Sequence, residues 1–180
     1  MPRRIALSLA SSLVLLAASP ASAQTRHDTN APIDFGADQI ELQDRANRAV
    51  LSGNVSVKQA EMTLNAQRMT VAYTGEVVGG NPQVSRLDAS GGVTVRRPAQ
   101  TARSQYAIYD LNRRLITMVG NVQLTQGGSN TVNGGRLTIN LDTGRATIDG
   151  SAVAGGARPG NVGESPRGRV TGTFSVPDRK

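Results

Sequence analysis

Apolar and polar residues alternate along this chain with a period of two, and four of the alternating stretches are centred on a glycine. Ala49, Leu51, Val55 and Val57 flank Gly53, and Leu87, Ala89, Val93 and Val95 flank Gly91. Ile116, Met118, Val122 and Leu124 flank Gly120, while Ala146, Ile148, Ala152 and Ala154 flank Gly150. Each set therefore lines one face of an extended strand. The opposite face is mostly polar: Val50, Ser52, Asn54, Ser56 and Lys58 in the first copy, Arg86, Asp88, Ser90, Thr94 and Arg96 in the second. Glycine weakens a strand interior, so its return at a fixed place predicts a bend or a close backbone approach. Recurrence of the unit points to a repeated architecture. Strands bent at one level and apolar on one side describe a sheet folded over an elongated interior.

Between the ladders the same period continues. Pro32-Ile33-Asp34-Phe35 begins the folded region, and Gln39-Ile40-Glu41-Leu42 repeats the alternation before a turn through Asp44, Arg45 and Asn47. Met62, Leu64 and Ala66 occupy even positions but Met69, Val71 and Tyr73 odd ones, which predicts a bulge or kink near Gln67-Arg68 that resets the phase. Thr74 to Pro82 reads as a loop, Arg97-Pro98 ends the second ladder, and Gln105 to Leu111 reads as a strand leading to a turn at Asn112-Arg113-Arg114. Asn133-Gly134-Gly135 carries a hairpin signal, and Gly127-Gly128 and Gly134-Gly135 are expected as turn glycines. Arg136 to Leu141 pairs with the fourth ladder across Asp142-Thr143-Gly144. No segment after the first 23 residues has a helical period, so the chain is read as all-β with repeated antiparallel strands.

The two ends carry a different pattern. Arg3 and Arg4, the apolar run Ile5 to Ala18 and the small residues Ala21-Ser22-Ala23 read as an export signal over 1–23. The run is too short for an ordinary membrane span. Residues 24–31 form a polar, flexible lead-in containing His27, and 32–154 the β-domain. A Gly/Pro-rich loop over 155–168 precedes a last edge strand, 169–176, and a tail, 177–180. An exported, periplasmic protein is expected.

Composition narrows the chemistry. There is no cysteine, so disulfides contribute nothing, and with two Phe, three Tyr and no Trp the interior must be aliphatic. So few aromatics leave little to stack on nucleobases, and no nucleic-acid partner is expected. The net charge of +7 is carried mainly by Arg, whose guanidinium suits phosphate and carboxylate, so an anionic partner fits. His27 is the only histidine and lies in the lead-in, against a Ser–His–Asp arrangement or a histidine metal site. Asp44, Asp110 and Asp142 lie at turns, where Asp serves the backbone. No catalytic, cofactor-binding or metal site is assigned.

Val50-Leu51-Ser52-Gly53-Asn54-Val55-Ser56-Val57 followed by Leu64-Asn65-Ala66-Gln67-Arg68-Met69 resembles the OstA-like domain family of lipopolysaccharide transport. That family pairs a Gly-Asn-apolar strand with an Asn-Ala-acid-Lys/Arg-apolar segment, and Gln67 departs from its usual acid. Met118-Val119-Gly120-Asn121-Val122 repeats the first signature, and Arg169-Val170-Thr171 to Val176-Pro177 resembles the family's last strand. The likeness runs from Pro32 to Pro177, and the 155–168 loop is a second departure. It implies a twisted, partly open β-jellyroll whose interior holds lipid A acyl chains, and a soluble bridge that joins end to end with its own kind. The implied partners are lipopolysaccharide and the homologous β-jellyroll domains of an inner-membrane transporter and an outer-membrane translocon. The implied lipid lining comprises Ile33, Phe35, Leu51, Val55, Val57, Leu64, Met118, Val122, Leu124 and Ile139. Periodicity alone favours ordinary core packing for these residues, and it is the resemblance that turns the set into a lipid lining. Two other readings remain at this point: an exported structural β-protein that polymerises without lipid, and a carbohydrate-active β-solenoid enzyme.

Overall fold

A computed structural model describes residues 27–75, 80, 82–150 and 170–174. The expected export signal, the 155–168 loop, the 177–180 tail and the outer half of the fourth ladder lie outside the described residues, as does part of the 74–82 loop.

The described residues form one antiparallel sheet of ten strands. They are β1 (Ile33–Gly36), β2 (Gln39–Gln43), β3 (Arg48–Gln59), β4 (Met62–Thr74), β5 (Gln83–Arg97), β6 (Gln100–Asp110), β7 (Leu115–Gln126), β8 (Asn130–Asn140), β9 (Ala146–Asp149) and β10 (Thr171–Thr173). β3 to β8 follow one another as an up-and-down meander. At one edge β1 pairs with the second half of β3 and β2 with its first half. At the other edge β10 and β9 divide β8 in the same way. The two edges do not pair, so the sheet is not closed. The turn after β2 is a short 3₁₀ segment, Asp44–Ala46, closed by Asn47 in the left-handed conformation.

The register breaks near the middle of every long strand pair, and these breaks line up; β4–β5 has a second shift at its end, between Ala72 and Tyr73. β3 skips Gly53-Asn54 against β4, β5 skips Gly91-Gly92 against β6, and β7 skips Gly120-Asn121 against β8. Both residues of each pair have positive φ: 74° and 46°, 83° and 82°, 85° and 48°. A left-handed pair turns the strand sharply, and glycine adopts that conformation without a Cβ penalty. On the intervening strands a single residue is passed over, Gln67 on β4 and Gln105 on β6. Two skipped residues preserve the alternation, whereas one inverts it. This is why Met62, Leu64 and Ala66 share a face with Met69, Val71 and Tyr73, as the predicted phase reset near Gln67-Arg68 requires.

The breaks form a corner that folds the sheet into two facing halves. The Tyr109 hydroxyl on β6 donates to Gln59 Oε1 on β3 at 2.7 Å, although two strands separate β3 from β6 in the sheet, so this bond crosses the interior. Residues facing inward from both halves form a single apolar cluster around Leu51, Met69, Leu87, Ile116, Met118 and Leu137. Each such side chain contributes about 1.5–3 kcal/mol on burial. The partly open β-jellyroll expected from the sequence is present.

Two expectations are corrected. Asn133-Gly134-Gly135 is not a hairpin, and Gly134-Gly135 are not turn glycines: they lie within β8 at the corner, with Gly134 so close to the Ile148 side chain and the Asp149 carbonyl that no Cβ fits. The β7–β8 turn is instead at Gly127-Gly128. The lead-in is also not loose throughout, because His27 is buried and the stretch 27–31 folds onto the end of β3.

Candidate functional site

The ten residues singled out from the sequence separate into two groups. Leu51, Val55, Val57, Leu64, Met118, Val122, Leu124 and Ile139 all belong to the inward cluster and are between 0% and 8% exposed, packed against the protein's own side chains. Ile33 and Phe35 lie on β1, opposite Gln59 and Val57, and line an open cleft. Cross-strand partners share a face, so both point to the inner side of the sheet.

That cleft has a volume of about 560 Å³ and opens between the free ends of the two halves. Its apolar walls are Ile33, Phe35, Leu42, Ala49, Val71 and Leu111, with Tyr73 and Val84 beside them. This falls within the size range of small-molecule pockets, roughly 300–1,000 Å³. Leu42 pairs with Ala49 and Ile40 with Leu51, so they too stand at inward register, yet they are half-exposed because no strand lies beyond β2 among the described residues. A second hollow, of about 480 Å³, is polar and lies near the corner, among Arg103, Asn121, Gln123, Asn133 and the edge of Val122.

A buried polar cluster borders the cleft. Gln59 Oε1 accepts from Tyr109, and its Nε2 donates to the carbonyls of Thr29 at 3.0 Å and Ala31 at 3.1 Å. His27 Nε2 lies 3.3 Å from the same Oε1, while His27 Nδ1 is 4.0 Å from Glu61. Burial pushes the Tyr109 hydroxyl up to about 12, so it is a donor at every physiological pH. Burial likewise raises Tyr73, helped by its hydrogen bond to Asp44. Asp110 accepts from the Arg113 amide, the turn-stabilising work expected of it, whereas Asp142 pairs with the Arg114 side chain of another turn.

Exposed large apolar residues gather at the two edges. Phe35, Ile40 and Leu42 stand on β1 and β2, and Val170 and Phe174 flank β10. Gly172 of β10 pairs with Val132, and Val170 and Phe174 share its alternation. Each end of the interior therefore shows apolar side chains to solvent. Tyr106, on the outer face, is the other exposed large apolar residue among the described ones.

Residues 35–145 match the family model described as LptA/(LptD N-terminal domain) LPS transport protein. The chain belongs to this family. It is 30% identical over 143 residues to the lipopolysaccharide export system protein LptA of Escherichia coli (strain K12), covering 75% of this chain and 74% of that protein. An uncharacterized protein of Rhizobium meliloti (strain 1021) is 34% identical over 121 residues, 66% of this chain and 65% of that protein's length. The crystal structure of LptH, described as the LptA-homologous periplasmic component of the lipopolysaccharide transport device of Pseudomonas aeruginosa, superposes with a TM-score of 0.65. It covers 83% of this chain and 99% of LptH at 19% identity, a likeness of fold. Members of the LptA family are transport proteins, and the chain is no enzyme.

The cleft brings in residues that the sequence did not single out, Leu42, Val71, Tyr73, Leu111 and above all Gln59, and behind Gln59 lies its partner Tyr109. For Gln59 a signal existed. It continues the inward series Val55-Val57 as a lone polar residue, which a buried position tolerates only with partners.

Proposed function

We propose that this chain carries lipopolysaccharide through the periplasm by sheltering lipid A acyl chains between its two half-sheets. The observation that carries the reading is an apolar cleft, continuous with an aliphatic interior, in a chain of a lipopolysaccharide-transport family. Each buried methylene is worth about 0.8 kcal/mol, so a chain of a dozen carbons carries roughly 10 kcal/mol and does not cross water unshielded. The cleft receives the first part of a chain against Phe35, Leu42 and Val71. Deeper entry requires the halves to part, and an unclosed sheet allows this without breaking pairing between its edges. Leu51, Val55, Val57, Leu64, Met118, Val122, Leu124 and Ile139 then become the lining. Sugar and phosphate groups stay hydrated at the mouth, where Arg45 and Arg113, on the turns that follow the lining residues Leu42 and Leu111, supply positive charge.

Head-to-tail association belongs to the same reading. Both edges end in short strands that have no further strand beside them among the described residues, and both display apolar residues on the inner-face alternation. Joining the β1/β2 edge of one molecule to the β10 edge of the next continues the trough from one to the other. Such a contact need not close on itself, so bridges of several molecules form. The same edges would meet homologous β-jellyroll domains in the inner-membrane transporter and the outer-membrane translocon. Export and cleavage after Ala23 place the mature chain in the periplasm.

Titration of the purified protein with lipid A tests the carrier role. The wild-type protein binds, and Leu42→Asp or Phe35→Asp weakens binding by about tenfold or more, since each places a charge in the apolar cleft. Folded variants that bind as well as wild type would remove the cleft from the lipid path.

A further inference from the structure

We infer that Gln59, Tyr109 and the 27–31 segment form a latch that holds the two half-sheets together and covers the mouth of the trough until lipid enters. The inference rests on the carrier reading and assigns a gate to the same site. Gln59 is 2% exposed at the end of β3, and Tyr109 is 1% exposed near the end of β6, in the half-sheet on the other side of the corner. Both stand at the free ends, opposite the corner, where the halves are not joined by the chain. Their 2.7 Å bond is therefore a tie across the opening, and the two Gln59 Nε2 bonds add the 27–31 segment as a strap over it.

The choice of residues fits a tie made to open. Every hydrogen-bonding atom of the Gln59 amide is engaged at one point: its oxygen by Tyr109 and His27, its nitrogen by the Thr29 and Ala31 carbonyls. With its amide fully engaged Gln59 is fixed in one geometry, while His27 Nδ1 is buried without a hydrogen-bond partner, and the net stabilisation is modest because water replaces each bond on opening. Strap and tie are joined through one side chain, so the loss of either bond set weakens both.

Lipid A uptake by the purified full chain tests this, read as the initial loading rate together with amide hydrogen exchange over 28–31. Tyr109→Phe removes one oxygen and keeps the ring, and Gln59→Leu removes tie and strap bonds together. Loading about fivefold faster in Tyr109→Phe, the equivalent of one buried hydrogen bond, and faster still in Gln59→Leu with accelerated exchange over 28–31, is the expected result. Wild-type loading rates in both folded variants would overturn the latch while leaving the carrier reading intact. A wild-type protein that takes up no lipid A at all would overturn the carrier reading and the latch with it.

Discussion

Gly91 makes room for Gln67: a Cβ on Gly91 would stand 2.7 Å from the Gln67 Cβ, across the corner between β5 and β4. Its neighbour Gly92 has nearly the same φ, 82° against 83°, but nothing within 4 Å of its would-be Cβ. Gly92→Ala should therefore lose only the backbone penalty, about 1 kcal/mol. Gly91→Ala adds a steric clash and should lose about 2–4 kcal/mol. Urea denaturation of the two variants measures the difference directly, and equal losses would show that the corner is not tightly packed.

Stability should fall at high pH through Tyr109. Its hydroxyl titrates near 10.0 when unfolded and is pushed up to about 12 by burial in the fold. A raised pKa means that the folded state holds its proton longer. The contribution is thus complete below about pH 10 and is lost as the pH rises toward 12. About 2 kcal/mol is at stake. Tyr73 shifts in the same direction, so the diagnostic quantity is the difference between wild type and Tyr109→Phe. Denaturation midpoints across that window should decline less steeply in the variant.

Leu51 and Leu42 should answer differently to the same substitution. Leu51 is 0% exposed in the inner cluster, whereas Leu42 is 55% exposed at the cleft. Leu51→Asp buries an unpaired carboxylate and should cost about 3–5 kcal/mol. Leu42→Asp should stay within about 1 kcal/mol of wild type. Loss of lipid binding in Leu51→Asp would thus report unfolding, which makes Leu42 the informative position.

Self-association through the edges should depend on Phe174, which is 65% exposed beside β10. Phe174→Glu should lower the mass-average size measured by light scattering at rising protein concentration, with the thermal transition unchanged. An unchanged size distribution would place any association elsewhere.

The sequence made the odd-numbered long strands plain and hid parts of the even ones. Each of β3, β5 and β7 skips two residues at the corner, so Leu51 and Val55, or Met118 and Val122, keep one alternation through the bend. β6 passes over Gln105 alone, which puts Ala102 and Ser104 out of phase with Ala107 and Tyr109. Its first half was consequently missed. β8 changes phase between Val132 and Leu137, and the glycines that allow this imitate a hairpin. The inward apolar residues were legible because alternation reports which face is buried. Which of them meet open space was not, since that depends on where the two halves separate. The tie between Gln59 and Tyr109 joins residues 50 positions apart and exists only once the sheet has folded over.

Lipid contact inside cells is the most direct measurement. A photoreactive phenylalanine analogue in place of Phe35 should yield an adduct carrying lipopolysaccharide when growing Gram-negative cells are irradiated, and the same probe at outer-face Lys58 should not. Folded, expressed protein that gives no adduct from Phe35 or from Leu42 would contradict lipid carriage through this cleft.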